Sequence, residues 1–329
     1  MKTMMDIAEA TGLSKGTISR YINKSGYVSE ESSKKIQKAI DELDYVINQH
    51  ARALYNKNTN VVGLVVPSLI NPFFAQMATI IESKLDKYGY SIILYNTNDS
   101  REEEIKAINM LRGYRVDGII IGRSQNKDFI KKLDIPIVSF ESDIGGKVAN
   151  VTANNYLGGE QAFEVLYKRG CRKFLHIRGP KIFEATEARY RGFINKSRTF
   201  NCKVDIITMD KDFETAFDIE NKLSNINIKD YDGVFAFNDI GAAITIRYIL
   251  NKRIKIPDEI QVIGFDNSYI SEVLNPKLTT IEQPVDIIAD ECINVLVERI
   301  NGNPLKNQTI RIKTQVILRE STKKLQMGD

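Results

Sequence analysis

A short run of hydroxyl and basic side chains near the amino terminus has the chemistry to bind a nucleic acid. Ser14, Lys15 and Thr17 are followed by Arg20. In the major groove of DNA an arginine can donate two hydrogen bonds to guanine, and hydroxyl groups can contact phosphates. The same side chains could form the polar surface of any small helical bundle, so residue types alone leave both interpretations open.

The common catalytic motifs are absent from the sequence. It contains no Gly-x-Gly-x-x-Gly, no Gly-Lys-Ser/Thr phosphate loop, no His-Glu-x-x-His and no Gly-x-Ser-x-Gly. The two histidines are His50 and His176, and His176 lies in a predicted strand, where a buried structural role is more common than that of a general base. We therefore predict a binding protein rather than an enzyme, with no metal site and no cofactor.

The composition indicates a globular protein of two or three domains. The chain has 329 residues, of which 43% are hydrophobic and 27% charged, with a net charge of +4. That charge is too small to identify a nucleic-acid binder by itself. No apolar run approaches the roughly 18 residues of a membrane span, and the first residues do not resemble a signal peptide. Three distant cysteines also argue against a disulfide framework, so we expect a cytoplasmic protein with no membrane partner.

Caps and apolar spacing over residues 1–47 predict three short helices. Thr3 begins the first helix with a capping-box pattern, and Gly12 ends it in a left-handed conformation. Ser14 caps a second helix over Lys15–Asn23. A third helix follows with acidic residues in its first turn. The tight connection between the first two helices gives a helix-turn-helix pattern.

The first two predicted helices also carry a long family signature. Asp6–Asn23 runs DIAEATGLSKGTISRYIN, and Val28-Ser29 and Leu43-Asp44-Tyr45 continue the same pattern. This segment resembles the DNA-binding headpiece of the lactose/galactose repressor family. The resemblance implies that the second helix lies in the major groove of operator DNA. The base-reading positions of the family fall on Lys15, Gly16 and Arg20.

Phosphate contacts are implied for further residues in and after the second helix, and such contacts fix register rather than sequence. These residues are Ser14, Thr17, Ser19, Asn23 and Tyr27. For Ser19 an ordinary helix-surface hydroxyl is an equally good interpretation. Gly16 has no side chain, so we expect one base fewer to be read at its position.

Residues 48–60 resemble the hinge of the same family, which orders on DNA and pairs with its twin from a second subunit. The implied DNA-binding positions are Asn48, Ala51, Arg52 and Leu54. Ala51 matches a small residue that permits close helix approach, and Leu54 matches a side chain wedged into the minor groove. Leu54 could instead be an ordinary contact to the core. The proline usual in the family just before the hinge is Ile47 here.

From Val61 onward the sequence predicts an α/β core. Continuous apolar segments such as Val61–Val66 alternate with amphipathic segments such as Phe73–Tyr88 and Gln161–Lys168. Such strands indicate parallel sheets covered by helices on both faces. An Asp-Gly pair opens a buried strand twice, at Asp117 and at Asp232, which fits two similarly wound subdomains.

Several segments of this core match the sugar-binding half of the same repressor family. They include NPFF at residues 71–74, VDGII at 116–120, IGFDN at 263–267 and PKLTTIEQP at 276–284. The resemblance implies a fold like that of periplasmic binding proteins, with an effector cleft between two sheets at the carboxyl ends of their strands.

The resemblance also implies a division of the chain into a helix-turn-helix head at residues 1–47, a hinge at 48–60 and a core at 61–329. Within the core we expect subdomain 1 at about 61–153 and 285–312. Subdomain 2 then takes about 156–282 and 313–329. The connections between the two subdomains fall close to residues 153–156, 283–284 and 311–314.

The effector-binding residues implied by this match are Phe73, Phe74, Arg189, Asn238 and Asp266. Asp266 follows a strand, where its carboxylate can accept hydrogen bonds from vicinal hydroxyls, and Asn238 can donate and accept. Arg189 matches the family arginine that holds the effector. Structural alternatives remain: Asp266 could cap a turn, Arg189 could pair on the surface, and Phe74 could belong to the core. Weaker candidates are Ser139, Glu141 and Asp143.

These observations predict a homodimeric repressor of a carbohydrate-utilisation operon. Its partners are double-stranded operator DNA, a small-molecule effector that we expect to be a sugar, and a second copy of the chain. A family member that depends on a corepressor or a phosphoprotein is the alternative. A sugar-binding module without a DNA role, and an α/β enzyme, are less favoured because of the fused head and the missing catalytic motifs.

Overall fold

The computed structural model describes residues 2–23, 25–45, 58–210 and 216–325 of the chain. Contacts between Cα atoms divide the chain into two units. The smaller unit comprises Met1–Val61 with the short segment Arg115–Asp117, and the larger unit comprises Val62–Tyr114 with Gly118–Asp329.

The described part of the small unit contains three helices, as predicted. They are α1 (Met4–Thr11), α2 (Lys15–Asn23) and α3 (Glu30–Glu42). Thr3 caps α1 through a capping box with Asp6, and Gly12 ends that helix with a φ of 68°. The Ser14 hydroxyl accepts a hydrogen bond from the Thr17 amide (3.1 Å) and so caps α2. The first two helices therefore meet in the tight turn that the sequence indicates.

Four isoleucines hold these helices together. Ile7, Ile18, Ile22 and Ile36 are all buried, because the apolar positions of each helix recur at helical spacing. Each such burial contributes about 1.5–3 kcal/mol. This small core fixes α2 against α1 and α3 and leaves the polar face of α2 exposed.

Within the described residues, the large unit contains two six-stranded sheets. The first consists of β1 (Val61–Val66), β2 (Ser91–Asn96), β3 (Gly118–Ile121), β4 (Ile137–Phe140), β5 (Ala149–Ala153) and β11 (Thr309–Ile312). The second consists of β6 (Phe174–Arg178), β7 (Val204–Thr208), β8 (Gly233–Ala236), β9 (Gln261–Asp266), β10 (Thr279–Glu282) and β12 (Gln315–Ile317). Their orders are β2-β1-β3-β4-β5-β11 and β7-β6-β8-β9-β10-β12. The equivalent orders confirm the predicted core of two similarly wound, largely parallel subdomains, in which β12 is antiparallel to β10.

Helices connect most of these strands. They are α4 (Pro72–Lys87), α5 (Arg101–Gly113), α6 (Lys127–Ile130), α7 (Asn155–Lys168), α8 (Glu184–Thr199), α9 (Ala216–Ser224), α10 (Asp239–Asn251), α11 (Ile270–Val273) and α12 (Val285–Ile300), with a 3₁₀ turn at Ile228–Asp230. Helices α7 and α8 pack together and cover one face of the second sheet, whereas α12 packs on α4 and the first sheet. The chain therefore passes from one subdomain to the other after β5, after β10 and between β11 and β12.

Helix α7 begins earlier than the predicted start at Gln161. The Asn154 side chain accepts a hydrogen bond from the Leu157 amide (3.1 Å) and caps the helix there. Gly158 and Gly159 lie in its first turns. Because glycine is a poor helix former, residue propensities do not predict a helix here. Helix α12 has no counterpart among the predicted helices, although Leu296 and its apolar neighbours bury one face against the first sheet.

The aspartate of the repeated Asp-Gly pair accepts hydrogen bonds from backbone amides in both places, just before β6 and just before β1. The Asp232 carboxylate accepts hydrogen bonds from the Arg172 and Lys173 amides (2.9 Å) just before β6. The Asp117 carboxylate accepts them from the Thr59 and Asn60 amides (2.8 and 2.7 Å) just before β1. Each aspartate thus satisfies backbone donors that enter the first strand of a subdomain.

Two glycines set the close approach of α7 and α8. A Cβ atom on Gly192 would overlap the carbonyl oxygen of Tyr156, and one on Gly159 would overlap the carbonyl oxygen of Arg189. Because both obstacles are backbone atoms, they cannot move without displacing a helix. Gly192 is therefore a packing residue.

His176 is a buried core residue of β6. Its ring stacks on Phe235 with a centroid distance of 4.7 Å, and Nδ1 lies 2.9 Å from the Phe235 carbonyl oxygen. Burial, with a smaller effect of the nearby Arg178, lowers the pKa of His176 to about 4, and the hydrogen bond at the Phe235 carbonyl oxygen opposes this shift. The histidine is therefore neutral near pH 7 and does not line the cleft.

No helix in the described ranges is both long and apolar enough to cross a membrane.

Replacing Gly192 with alanine should destabilise the large unit by at least about 2 kcal/mol, because the added methyl group must push two helices apart. Urea unfolding measures this loss. Gly113→Ala is the matched control, since Gly113 also lies in a helix but its Cβ would meet no atom within 4 Å; it should be neutral or slightly stabilising. Equal stabilities for the two variants would contradict the packing role.

His176 should make folding stability fall under mild acid. Its folded pKa lies below its unfolded value of 6.5, so its contribution is complete above pH 6.5 and is lost as the pH falls towards 4. The loss should reach roughly 3 kcal/mol. Comparison of the unfolding free energies of the wild type and His176→Phe from pH 7 to 4 tests this, because phenylalanine keeps the ring stack without titrating. Parallel pH profiles would show that His176 is not the group responsible.

Candidate functional site

The exposed face of α2 carries the residues predicted to read bases. Lys15, Gly16 and Arg20 are all exposed. The Arg20 Nε atom donates to the Gly16 carbonyl oxygen (3.3 Å), whereas its two terminal nitrogens bond to none of the described residues. Arg20 is therefore positioned along the helix with the paired N–H groups that a guanine contact needs still available.

The predicted phosphate contacts divide into helix caps and surface groups. Ser14 caps α2, and its hydroxyl also lies 2.9 Å from that of Thr17. Asn23 donates from Nδ2 to the Ser19 hydroxyl (3.1 Å), so the local role considered for Ser19 has structural support. Tyr27 is 86% exposed, so its side chain is accessible to a phosphate. The hinge positions Asn48, Ala51, Arg52 and Leu54, and Ile47 before them, lie outside the described residues.

A cavity of about 680 Å³, the cleft cavity, opens between the two sheets of the large unit. All five predicted effector residues line it, together with Glu141. They are Phe73, Phe74, Arg189, Asn238 and Asp266. Because the carboxyl ends of both sheets border this space, residues distant in sequence converge there.

Arg189 lies at the centre of the polar wall. It is 3% exposed, and a guanidinium buried to that extent requires partners. Its Nε donates to Asn155 Oδ1 (2.8 Å) and its Nη1 to the Phe237 carbonyl oxygen (2.7 Å). The guanidinium also stacks on the Phe265 ring at 3.7 Å. These contacts exclude the alternative of a surface ion-pair partner.

Two carboxylates flank this arginine at longer distances. Asp266 Oδ1 lies 3.4 Å from Nη1 and Glu141 Oε1 lies 3.5 Å from Nη2. Glu141 Oε1 has no hydrogen-bond partner among the described residues despite being buried. Both carboxylates are near enough to balance the charge of Arg189, yet they retain acceptor capacity for a ligand's hydroxyl groups.

The pKa of the Asp266 carboxyl is raised well above its usual value. Burial raises its pKa, and the nearby Asp239 and Glu141 carboxylates raise it further, while Arg189 and a 2.8 Å hydrogen bond from Gln283 oppose them. Its backbone also has a φ of 114°, a strained conformation that costs of order 1–3 kcal/mol. Strain and an elevated pKa in one cleft residue are typical of a functional position.

Asn238 lines the cleft cavity and also caps a helix. Its Oδ1 accepts a hydrogen bond from the Gly241 amide (2.8 Å) and caps α10. The oxygen keeps a second lone pair, so the expected ability to both donate and accept stays a prediction. The Nδ2 group makes no bond to the described residues and can donate to a ligand oxygen.

Phe73 and Phe74 lie at the start of α4, where Asn71 caps the helix and Pro72 occupies its first turn. Their rings meet edge to face at 5.1 Å, and both are almost fully buried. Phe74 belongs to the hydrophobic core of the first subdomain and lines the cleft cavity as well. The two roles considered for it are thus compatible.

Two of the weaker candidates do not line the cleft cavity. The Ser139 hydroxyl is buried and donates to the Ser142 carbonyl oxygen (2.7 Å). Asp143 is exposed and contributes only its backbone, whose amide donates to Glu184 (2.8 Å). Only Glu141 of this group lines the cavity.

Asp99, Arg123 and Phe183 also line the cleft cavity and were not predicted. Arg123 makes a bidentate ion pair with Asp99, with its Nη2 atom 2.7 and 2.6 Å from the two carboxylate oxygens. Its guanidinium lies 3.7 Å from the ring centroid of Phe183 across the cleft. Asp99 follows β2 and Arg123 follows β3, just as the predicted residues Asp266 and Asn238 lie at the ends of β9 and β8. The rule that polar residues at strand ends form the site could therefore have predicted Asp99 and Arg123.

The chain combines a helix-turn-helix head with a unit of two sheets, and charged and aromatic side chains line the cleft of that unit. This combination defines a class of protein. It is a DNA-binding regulator controlled by a small molecule.

Comparisons with known proteins specify that class. Residues 3–48 match the bacterial regulatory proteins of the lacI family, and residues 163–322 match the periplasmic binding protein-like domain. The ribose operon repressor of Halalkalibacterium halodurans is 34% identical over 98% of this chain and 98% of its own length. The chain belongs to the lacI family of bacterial regulatory proteins, which confirms the resemblance and the predicted function of a DNA-binding transcriptional regulator.

Solved structures agree with this assignment. A periplasmic binding protein/LacI transcriptional regulator from Alkaliphilus metalliredigens, complexed with D-xylulofuranose, is 42% identical with a TM-score of 0.77, covering 80% of this chain and all of that one. The lac repressor dimer bound to operator is 22% identical with a TM-score of 0.86, covering 97% of this chain and 98% of that one. The latter likeness shows that the two chains share their fold.

Arg20→Ala should lower affinity for a selected operator by about 1–3 kcal/mol and relax the preference at one base pair, because a base-reading arginine is removed. Fluorescence anisotropy with operators substituted at single positions measures both effects. Lys38→Ala, which removes one positive charge from α3, is the control and should alter affinity for all sequences alike. Equal losses on operator and on random DNA for Arg20→Ala would contradict a base contact.

Proposed function

We propose that the protein is a homodimeric repressor of a carbohydrate-utilisation operon and that a monosaccharide, in particular a pentose, releases it from its operator. It acts by binding rather than by catalysis and works in the cytoplasm on the nucleoid. Residues 1–47 bind the operator, residues 48–60 form the hinge, and the core from residue 61 binds the effector and a second subunit.

The observation that carries the proposal is the Arg189 cluster in the cleft cavity. A sugar presents vicinal hydroxyl groups that can each donate and accept hydrogen bonds. The carboxylates of Asp266 and Glu141 supply acceptors, and Asn238 Nδ2 supplies a donor. The rings of Phe73 and Phe74 supply an apolar surface for the C–H groups of the sugar ring.

The names of similar proteins favour a pentose among sugars. One relative is a ribose operon repressor, and the 42% identical structure holds a xylulofuranose. Both sugars have five carbons, and the cavity volume is ample for a ligand of this size together with water.

The cleft also suggests how the sugar could change DNA affinity. Glu141 follows a strand of the first sheet, whereas Arg189 and Asp266 belong to the second subdomain. A ligand bonded to all three would link the subdomains and change their preferred separation. Coupling of this kind is typically ~1–3 kcal/mol and is reciprocal, so operator binding should weaken sugar binding by the same factor.

Asp266→Asn should yield a repressor that still binds its operator but no longer responds to sugar. The amide keeps the shape of the carboxyl but replaces one of its oxygens with an NH2 group, so sugar affinity should fall at least about tenfold. Calorimetry with D-ribose and D-xylulose, followed by operator release assays, measures the two effects separately. Cellobiose and hypoxanthine serve as ligands of other classes.

Asp143→Asn is the matched control for this experiment, since it makes the same chemical change at an exposed side chain outside the cleft cavity. It should behave like the wild type. Normal induction of Asp266→Asn would remove this residue from the site, and release by hypoxanthine alone would replace the sugar with a purine effector.

A further inference from the structure

A second cavity of about 560 Å³, the side chamber, adjoins the cleft cavity. Its walls come from the loop after β3, from the Lys127–Ile130 helix α6, and from Ile182, Phe183 and Glu184 of the second subdomain. Arg101 and Arg123 line both cavities. The two spaces are therefore neighbours with a shared, cationic boundary.

Arg123 forms that boundary and is held rigidly. Its bidentate bond to Asp99 and its stacking on Phe183 fix the plane of the guanidinium. The Nε and Nη2 atoms both bond to Asp99, whereas Nη1 has no partner among the described residues. One end of this preorganised guanidinium is thus available to a ligand.

Four cationic side chains and two carboxylates line the side chamber. Glu184 forms an ion pair with Lys127 across the two subdomains, and Asp128 lies 3.5 Å from Lys131. This excess of positive charge favours an anionic group over a neutral sugar unit. Arg101 is exposed and makes no hydrogen bond or ion pair with its side chain in the described ranges, so its guanidinium is available to a ligand.

The chamber wall is fixed before any ligand enters. Glu104 is 4% exposed, and its two carboxylate oxygens accept hydrogen bonds from the Ser124 hydroxyl (2.5 Å) and the Gln125 amide (3.1 Å). The Asn126 side chain donates to the Arg101 carbonyl oxygen (2.9 Å). A wall that is already ordered lowers the entropy cost of binding.

We propose that the side chamber binds the phosphate group of a phosphorylated sugar whose ring occupies the cleft cavity. Arg101 and Arg123 are the groups that contact this phosphate, because guanidinium groups bind phosphate oxygens through paired, charge-assisted hydrogen bonds. The inference rests on the proposed function and narrows it: the effector is a sugar phosphate ester rather than the free sugar.

Calorimetry on the full chain with matched ligand pairs tests the inference. The pairs are D-ribose with D-ribose 5-phosphate and D-xylulose with D-xylulose 5-phosphate, and inorganic phosphate is titrated alone. At least one ester should bind about tenfold or more tightly than its free sugar. Arg101→Gln should reduce that ratio towards one, because it removes a charge that only the ester uses.

Lys106→Gln is the matched control, since Lys106 lies on the same helix, α5, but lines neither cavity. It should leave the ratio unchanged. Free sugars that bind as tightly as their esters, or an ester preference that Arg101→Gln does not reduce, would overturn the inference and leave the proposed function intact. Binding of inorganic phosphate without tighter ester binding would also overturn it. If neither sugars nor esters bind or release the operator, the proposed function fails as well.

Discussion

The burial of the Arg189 guanidinium is the constraint on which the cleft depends. A charge this deeply buried is tolerated only when hydrogen bonds and opposite charges surround it. Its partners come from different elements: Asn155 from α7, the Phe237 carbonyl after β8, Asp266 from β9 and Glu141 after β4. Glu141 belongs to the first subdomain, so the charge of Arg189 is balanced in part by a carboxylate from the other side of the cleft. A ligand that replaces one of these contacts changes the preferred separation of the two subdomains.

Helix packing makes this arrangement possible. Gly159 lies against the carbonyl oxygen of Arg189 itself, and Gly192 lies against that of Tyr156. The two helices can therefore approach until Asn155, one turn before Gly159, reaches the Nε of Arg189. The two glycines, which have no functional side chain, thus set the positions of the polar residues around Arg189. For this reason a small increase in volume at either glycine should disturb the cleft as well as the fold.

The equivalent order of the two sheets explains why the site has two charged walls. In a parallel α/β sheet the polar loops gather at the carboxyl ends of the strands. Two such sheets facing one cleft provide the Arg189 cluster on one side and the Asp99–Arg123 pair on the other. The aromatic rings of Phe74 and Phe183 lie close to Arg123, at 5.5 and 3.7 Å. The cleft therefore combines hydrogen-bonding groups with apolar surfaces.

The sequence by itself determined the helices of the head, the alternation of strands and helices, and the residue types at the strand ends. These features follow from local rules of capping, periodicity and burial, as the bounds of Lys15–Asn23 and Val61–Val66 illustrate. The tertiary structure alone decided that Arg123 pairs with Asp99 and stacks on Phe183, and that Ser139 is core. It also decided that Asn238 gives its oxygen to a helix cap. Such outcomes depend on distances between residues far apart in the chain, which helix packing and sheet order set and local pattern does not encode.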